Sequence, residues 1–219
     1  MLAAAKRVFF DKGFGRATMG DIAKKAELSS GTLYLYFKNK NELYGSLTLR
    51  IMHYLVIRLE QLHHEYDMDE AGKIKALKIA LMDVYEFDPL ILRCLFLLQS
   101  NDSLKQLSPE LAEGISSLGQ KALNLIADIF TQATKKGICF DLPPKAIANI
   151  AWSLFSGAVM LEFSKGAVEG QQDNLRRQLE LAFRIFEKGI RVDLHCAAVP
   201  AMGECSTVEA ESTSGGKVI

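Results

Sequence analysis

Two helix starts lying close together, Thr18 and Ser29, constrain this chain more than any other feature. A hydroxyl at either position satisfies a backbone N–H that would otherwise be orphaned, so each predicts a helix beginning at the next residue. The segments are 19–26 and 30–37, leaving room for only a tight turn between them. Ile22, Ala23, Ala26, Leu28, Leu33 and Phe37 then form one apolar set at helical spacing, in which the small Ala23 and Ala26 allow a close crossing. Ser30, Thr32, Tyr34 and Tyr36 are left facing outward on the second helix.

Charge sharpens the expectation. The 219 residues are formally neutral, 49% apolar and 24% charged, which is ordinary for a globular protein. The first 45 residues nevertheless carry Lys6, Arg7, Lys12, Arg16, Lys24, Lys25, Lys38 and Lys40 against Asp11, Asp21, Glu27 and Glu42, so the remainder is correspondingly acidic. A local basic excess is what phosphate binding requires.

The run Ile22-Ala23, Ala26, Leu28-Ser29-Ser30-Gly31-Thr32-Leu33-Tyr34, then Tyr36 to Leu43, resembles the DNA-binding segment of the TetR (tetracycline repressor) family of bacterial regulators. Ala4 to Gly13-Phe14, followed by Thr18, is similar to that family's first helix. The resemblance covers roughly residues 3–47 and implies an all-α chain. It divides into a helix-turn-helix domain over 1–45 and a helical effector-binding and dimerisation domain over 46–193. The expected DNA-contacting residues are Thr18, Ser29, Ser30, Gly31, Thr32, Tyr34, Tyr36 and Lys40. Among these, Thr18 and Lys40 match positions that clamp the phosphate backbone, and such contacts hold register rather than read sequence. Tyr36 either donates to phosphate or joins the packing between helices. The sequence departs from the family at Glu27, where glycine is common; a non-glycine residue held at positive φ costs about 1 kcal/mol. It also departs at the start, because the first helix begins near Met1 with no basic arm before it, through either a late start or a missing contact.

Beyond Leu43 the periodicity predicts helices at 41–64, 70–86, 89–100, 109–136, 143–166 and 171–191, punctuated by Pro89, Pro109, Gly137 and Pro143-Pro144. From 197 to 219 the residues are small and polar without period, predicting a disordered tail. The segment 145–161 is apolar nearly all round, which calls for burial on every side, within the subunit or against a second one. The last helix carries a stripe of Leu175, Leu179, Phe183 and Phe186. Together with Ala151, Leu154 and Ala158 these residues are candidates for a homodimer interface, as the resemblance implies, or for the chain's own core. Candidates for an effector pocket, chosen by chemistry, are Tyr54, Arg58, Tyr85, Arg93, Phe96, Trp152, Phe155 and Phe163. They would form apolar walls with polar tips, and each also reads as plain core.

Cys94, Cys139, Cys196 and Cys205 have no metal-like or paired spacing and suggest reduced thiols in the cytoplasm. No stretch reads as an unbroken membrane span and no signal peptide precedes the first helix. An enzyme is the rival class. Its only support is Glu60-x-x-His63, and a bundle metal site needs two such motifs plus further carboxylates. No catalytic, metal-binding or cofactor-binding set is expected. A helical protein-interaction module with an unused reading helix is the remaining alternative. The expected partners are double-stranded operator DNA, a small-molecule effector and a second copy of the chain, with no membrane.

Overall fold

The computed structural model describes residues 1–65, 67–100, 107–139, 141–169 and 175–191. Residues 192–193 and the expected tail at 197–219 lie outside these, with Cys196 and Cys205. Among the described residues the chain is all-α. It contains α1 (Leu2–Arg16), α2 (Met19–Lys25), α3 (Ser30–Tyr36), α4 (Lys40–His63), α5 (Glu70–Phe87), α6 (Pro89–Ser100), α7 (Pro109–Lys135), α8 (Pro144–Glu169) and α9 (Leu175–Ile190).

Short polar side chains set the starts. Thr18 and Asp21 form a reciprocal capping box at α2, Ser29 accepts from Thr32 N–H at α3, and Asn39 accepts from Glu42 N–H at α4. Asp69 and Ser108 do the same for α5 and α7, where Pro109 occupies the first turn and needs no donor. α1 is broken at Gly13, whose φ of 75° is open to glycine at no steric cost. The turn after α2 holds Glu27 at φ 56°, the left-handed conformation in which the resembled family commonly places glycine.

α4 forms the spine. Its buried face, Leu43, Leu47, Ile51, Leu55 and Leu59, packs on α7, α5 and α6, and α7 in turn carries Ile126, Ile129 and Phe130 into the same core. α8 lies against α7, and α9 closes the layer against α5 and α8. At Gly45 the two long helices nearly touch: a Cβ there would lie 2.6 Å from Leu111 Cδ2 and 2.9 Å from Leu107 Cδ2.

One sequence expectation needs correction. The stripe on α9 turns inward: Leu175, Leu179, Phe183 and Phe186 are buried within the chain itself, as is Ala151 on α8. The outward apolar residues of these helices are Ile150, Leu161, Leu181 and Ile185. A stripe's period gives its width but not what covers it, and α5 and α7 are there to do so. Pro144–Ser164, at 21 residues and a mean hydropathy of 1.4, is long and apolar enough to cross a membrane by length and composition alone, although Lys145, Asn149, Ser153 and Glu162 interrupt it. Only 33% of that window is buried inside the chain, because one face, Ile147, Ala148, Ala151, Phe155 and Val159, meets the core and the opposite face does not.

Candidate nucleic-acid interface and effector site

α3 is held by a single buried residue, Leu33, while Ile22 and Ala23 of α2 supply the other side of the crossing. Apart from the half-buried Thr32, everything else on this helix faces outward. Tyr34 is 53% exposed, Tyr36 68% and Leu35 83%. Seven residues span about 10 Å, which fits a major groove about 12 Å wide. Ser30 and Gly31 are exposed and Thr32 is half-buried. Nothing inside the chain asks for glycine at 31: a Cβ would meet only Ser29 Oγ, at 3.6 Å, an ordinary contact. Leu35 escaped the sequence analysis, although an apolar residue opposite the buried Leu33 is the signal that marks it.

The hydroxyls have local work as well. Ser29 Oγ accepts from Thr32 N–H at 3.0 Å and lies 2.8 Å from Thr32 Oγ1. Thr18 Oγ1 accepts from Asp21 N–H at 3.1 Å and sits 2.8 Å from the Asp21 carboxylate. Hydrogen bonds from Lys12 and then from Thr18 hold the Asp21 carboxyl down at about 2. Lys40 is committed inside the domain: its Nζ donates to the carbonyls of Phe14, Gly15 and Ala17 at 2.8, 3.1 and 3.2 Å, and lies 4.7 Å from the Phe14 ring centre. An ammonium has three N–H bonds, so its phosphate-clamping role would require releasing one of these carbonyls. Lys6 pairs with Asp88 and Lys12 with Asp21. Exposed bases around the reading helix are Lys24, Lys25 and Lys38.

Contacts with the larger domain run through α6. Asp88 receives Lys6 at 2.6 Å and caps Ile91 N–H at 3.2 Å. Tyr44 packs against Phe9 and Phe14 at 5.3 and 4.7 Å and hydrogen-bonds Cys94, whose thiol is pushed up to about 11, mainly by burial. A cleft of about 90 Å³ opens beside this contact, lined by Phe9, Phe10, Tyr44, Arg93 and Cys94 among others. Glu42, at the start of α4, accepts from Ser108 N–H at 2.7 Å and ties the same region to α7.

The eight pocket candidates divide into two groups. Tyr54 stacks on Phe87 at 3.9 Å, and Arg58 is bound by Asp83 and Gln61, so both belong to the seam between α4 and α5. The other six form two clusters: Phe96 of α6 meets Trp152 and Phe155 of α8 at 6.0 and 6.4 Å, while Phe163 of α8 meets Tyr85 of α5 at 6.4 Å and has Arg93 of α6 over its ring at 5.9 Å. Behind Trp152 is an apolar cavity of about 60 Å³ bounded by Met52, Leu55, Ala122, Leu123 and Ile126. That volume admits a water-sized or methyl-sized group and is well short of the several hundred Å³ that a drug-sized ligand fills. Glu162, 4% exposed beside Phe163, was not singled out from the sequence. As for the motif that raised the enzyme alternative, Glu60 is paired with Lys121 at 2.7 Å.

A short helix buried by one leucine and presented beyond a capped partner helix has the form of a helix-turn-helix unit. Residues 1–47 match the family model described as "Bacterial regulatory proteins, tetR family". The chain is 29% identical over 137 residues to the fatty acid metabolism regulator protein of Bacillus subtilis, covering 63% of this chain and 68% of the relative. It is 28% identical over 132 residues to the transcriptional activator FasR of Mycolicibacterium smegmatis, covering 60% and 58%. Its fold is that of the TetR-family regulator PfmR from Thermus thermophilus, with a TM-score of 0.68 at 18% identity over 85% of this chain and 94% of that one. These relatives are regulators of transcription, not enzymes.

Proposed function

We propose that the protein is a homodimeric, cytoplasmic repressor whose two reading helices enter successive major grooves of a palindromic operator and which a small-molecule effector releases. The observation that carries the DNA reading is the exposure of Tyr34, Leu35 and Tyr36 on a helix whose only buried residue is Leu33. Three consecutive large side chains are held in water there without any packing role in the chain.

Dimerisation is inferred from the outer faces of α8 and α9. Ile150, Leu154, Ala158 and Leu161 recur at helical spacing on one helix, Leu181 and Ile185 on the other, and a Cβ at Gly157 would meet nothing within 4 Å. Two such helices from each subunit make a four-helix bundle. A dimer fixes the separation of its reading helices, and successive grooves require about 34–36 Å.

The effector is assigned to the aromatic wall between α5, α6 and α8. α6 carries Phe96 in that wall and Cys94 against the DNA-binding domain, and Asp88, which caps its start, holds Lys6 of α1, so a ligand that parts α6 from α8 also shifts the support of α1 and α4. Binding that favours the wrong spacing weakens DNA affinity, and DNA weakens effector affinity by the same factor.

The test is titration of purified protein with a labelled duplex from upstream of its own gene, at several salt concentrations, against a scrambled competitor. Tight, competitor-resistant binding with a steep negative slope of log affinity against log salt is expected. A flat slope, or equal displacement by the scrambled duplex, would remove the operator-specific reading.

A further inference from the structure

The reading helix α3 has an apolar crown. Leu33 is its one buried residue, and Leu35, two residues on, stands about 160° round the helix from it, with Gly31 one turn earlier on the same outward face. Helical side chains lean toward the N-terminus, so Leu35 leans toward Gly31, where even a Cβ would meet only Ser29 Oγ. Leu35 is the most exposed large apolar side chain among the described residues, at 83%, and Tyr34 and Tyr36 on either side of it are exposed as well. A solitary apolar side chain on a surface needs no explanation, but three large ones in succession on a seven-residue helix do.

What this helix lacks narrows its chemistry. From Ser29 to Phe37 there is no Arg, Lys, Asn or Gln, the side chains that make bidentate hydrogen bonds to guanine or adenine. The hydroxyls present either donate or accept and so discriminate weakly, and those of Ser29 and Thr32 are engaged with each other at 2.8 Å. The one apolar group that base pairs show in the major groove is the C5 methyl of thymine, and an isobutyl side chain has nothing else there to bind. Around this crown the exposed Lys24, Lys25 and Lys38 make the surface basic, as a partner edged by phosphates requires.

We propose that Leu35 determines sequence specificity by meeting the C5 methyl of a thymine in the major groove, which fixes one base pair of each half-site by apolar contact rather than by hydrogen bonding. This rests on the reading of α3 as the DNA-contacting helix. The lysines hold register on the phosphates, and Leu35 supplies the choice of base.

The full chain is used to select sites from a pool of randomised duplexes, and the selected site is remade with deoxyuridine for thymidine, one position at a time. That exchange removes the methyl and keeps the hydrogen-bonding edge. At the thymine facing Leu35 it is expected to weaken binding about 4-fold, the worth of burying one methyl-sized group. Leu35→Ala, an exposed change to a better helix former, is expected to fold normally, to bind the thymidine site more weakly, and to bind the thymidine and deoxyuridine versions of that site equally. Its slope of log affinity against log salt should match that of the natural chain, since no phosphate contact is lost. Indifference of the natural chain to deoxyuridine at every position, deoxyuridine penalties that all persist in Leu35→Ala, or a flatter salt slope in that variant overturns the assignment of Leu35 to thymine and leaves α3 as the DNA reader. A pool that yields no preferred site removes the operator-specific reading and this inference with it.

Discussion

Three carbonyls at the end of α1 hold the Lys40 ammonium, which places a positive charge where the helix leaves its acceptors unpaired. Lys40→Ala is therefore expected to lower stability to urea by about 1–3 kcal/mol and to weaken binding to all duplexes alike, with the salt slope unchanged. Unchanged stability with a slope flatter by about one would return Lys40 to the phosphates. Glu27 holds φ at 56°, and Glu27→Gly is expected to raise stability by about 0.5–1 kcal/mol in the same assay. No gain would mean that the extra freedom of glycine in the unfolded chain offsets the strain. Asp21 titrates at about 2 when folded against 3.8 for the free group. A depressed carboxyl contributes stability that is fully present above about pH 4 and is lost as pH falls toward 2. Melting curves between pH 5 and 2 should lose part of their slope in Asp21→Asn, and identical slopes would mean that the pair with Lys12 does not persist in solution. That the position after Ala26 takes the left-handed conformation was legible only through the resemblance, since the resembled family commonly has glycine where this chain has Glu27. The partner of Lys40 was not legible at all, since Phe14 is distant in sequence and only the packing of α1 against α4 brings its carbonyl within reach.

Helices were legible in existence, order and start, because the capping residues act within three positions of themselves and owe nothing to tertiary structure. Which face each helix buries was legible only when one face was polar. α9, with a charged side, has a defined stripe, yet that stripe proved to be the chain's own core. α8, apolar nearly all round, conceals Glu162 in its inward row, and a glutamate in such a helix reads from sequence as its exposed corner. The close approach of α4 and α7 at Gly45 gives this scale its own test. Gly45→Val should force Leu107 and Leu111 out of place and cost about 1–3 kcal/mol in urea denaturation. A neutral result would mean that the two leucine tips move aside freely.

At the scale of the molecule the open question is what meets the outer faces of α8 and α9. Ile185 is 63% exposed in the single chain, so Ile185→Glu should leave helical content intact while shifting sedimentation from dimer to monomer and weakening operator binding. A variant that remains dimeric would move the subunit contact away from α9. Coupling between the two domains belongs to this scale as well. α6 meets α1 through Asp88, which caps its start, α4 through Cys94 and α8 through Phe96, and no local pattern in the residues around Pro89 announces that triple role.

The sequence by itself determined the all-α class, the order of the helices and the reading unit of α2 and α3, because capping, periodicity and turn chemistry act over a few neighbouring residues. Tertiary structure alone decided where the Lys40 ammonium goes, which apolar stripe is core and which is outer face, and that Glu162 is enclosed without a hydrogen-bond partner among the described residues. Each of these depends on groups far apart in sequence that meet only when the helices pack, and burial is a property of the packed whole.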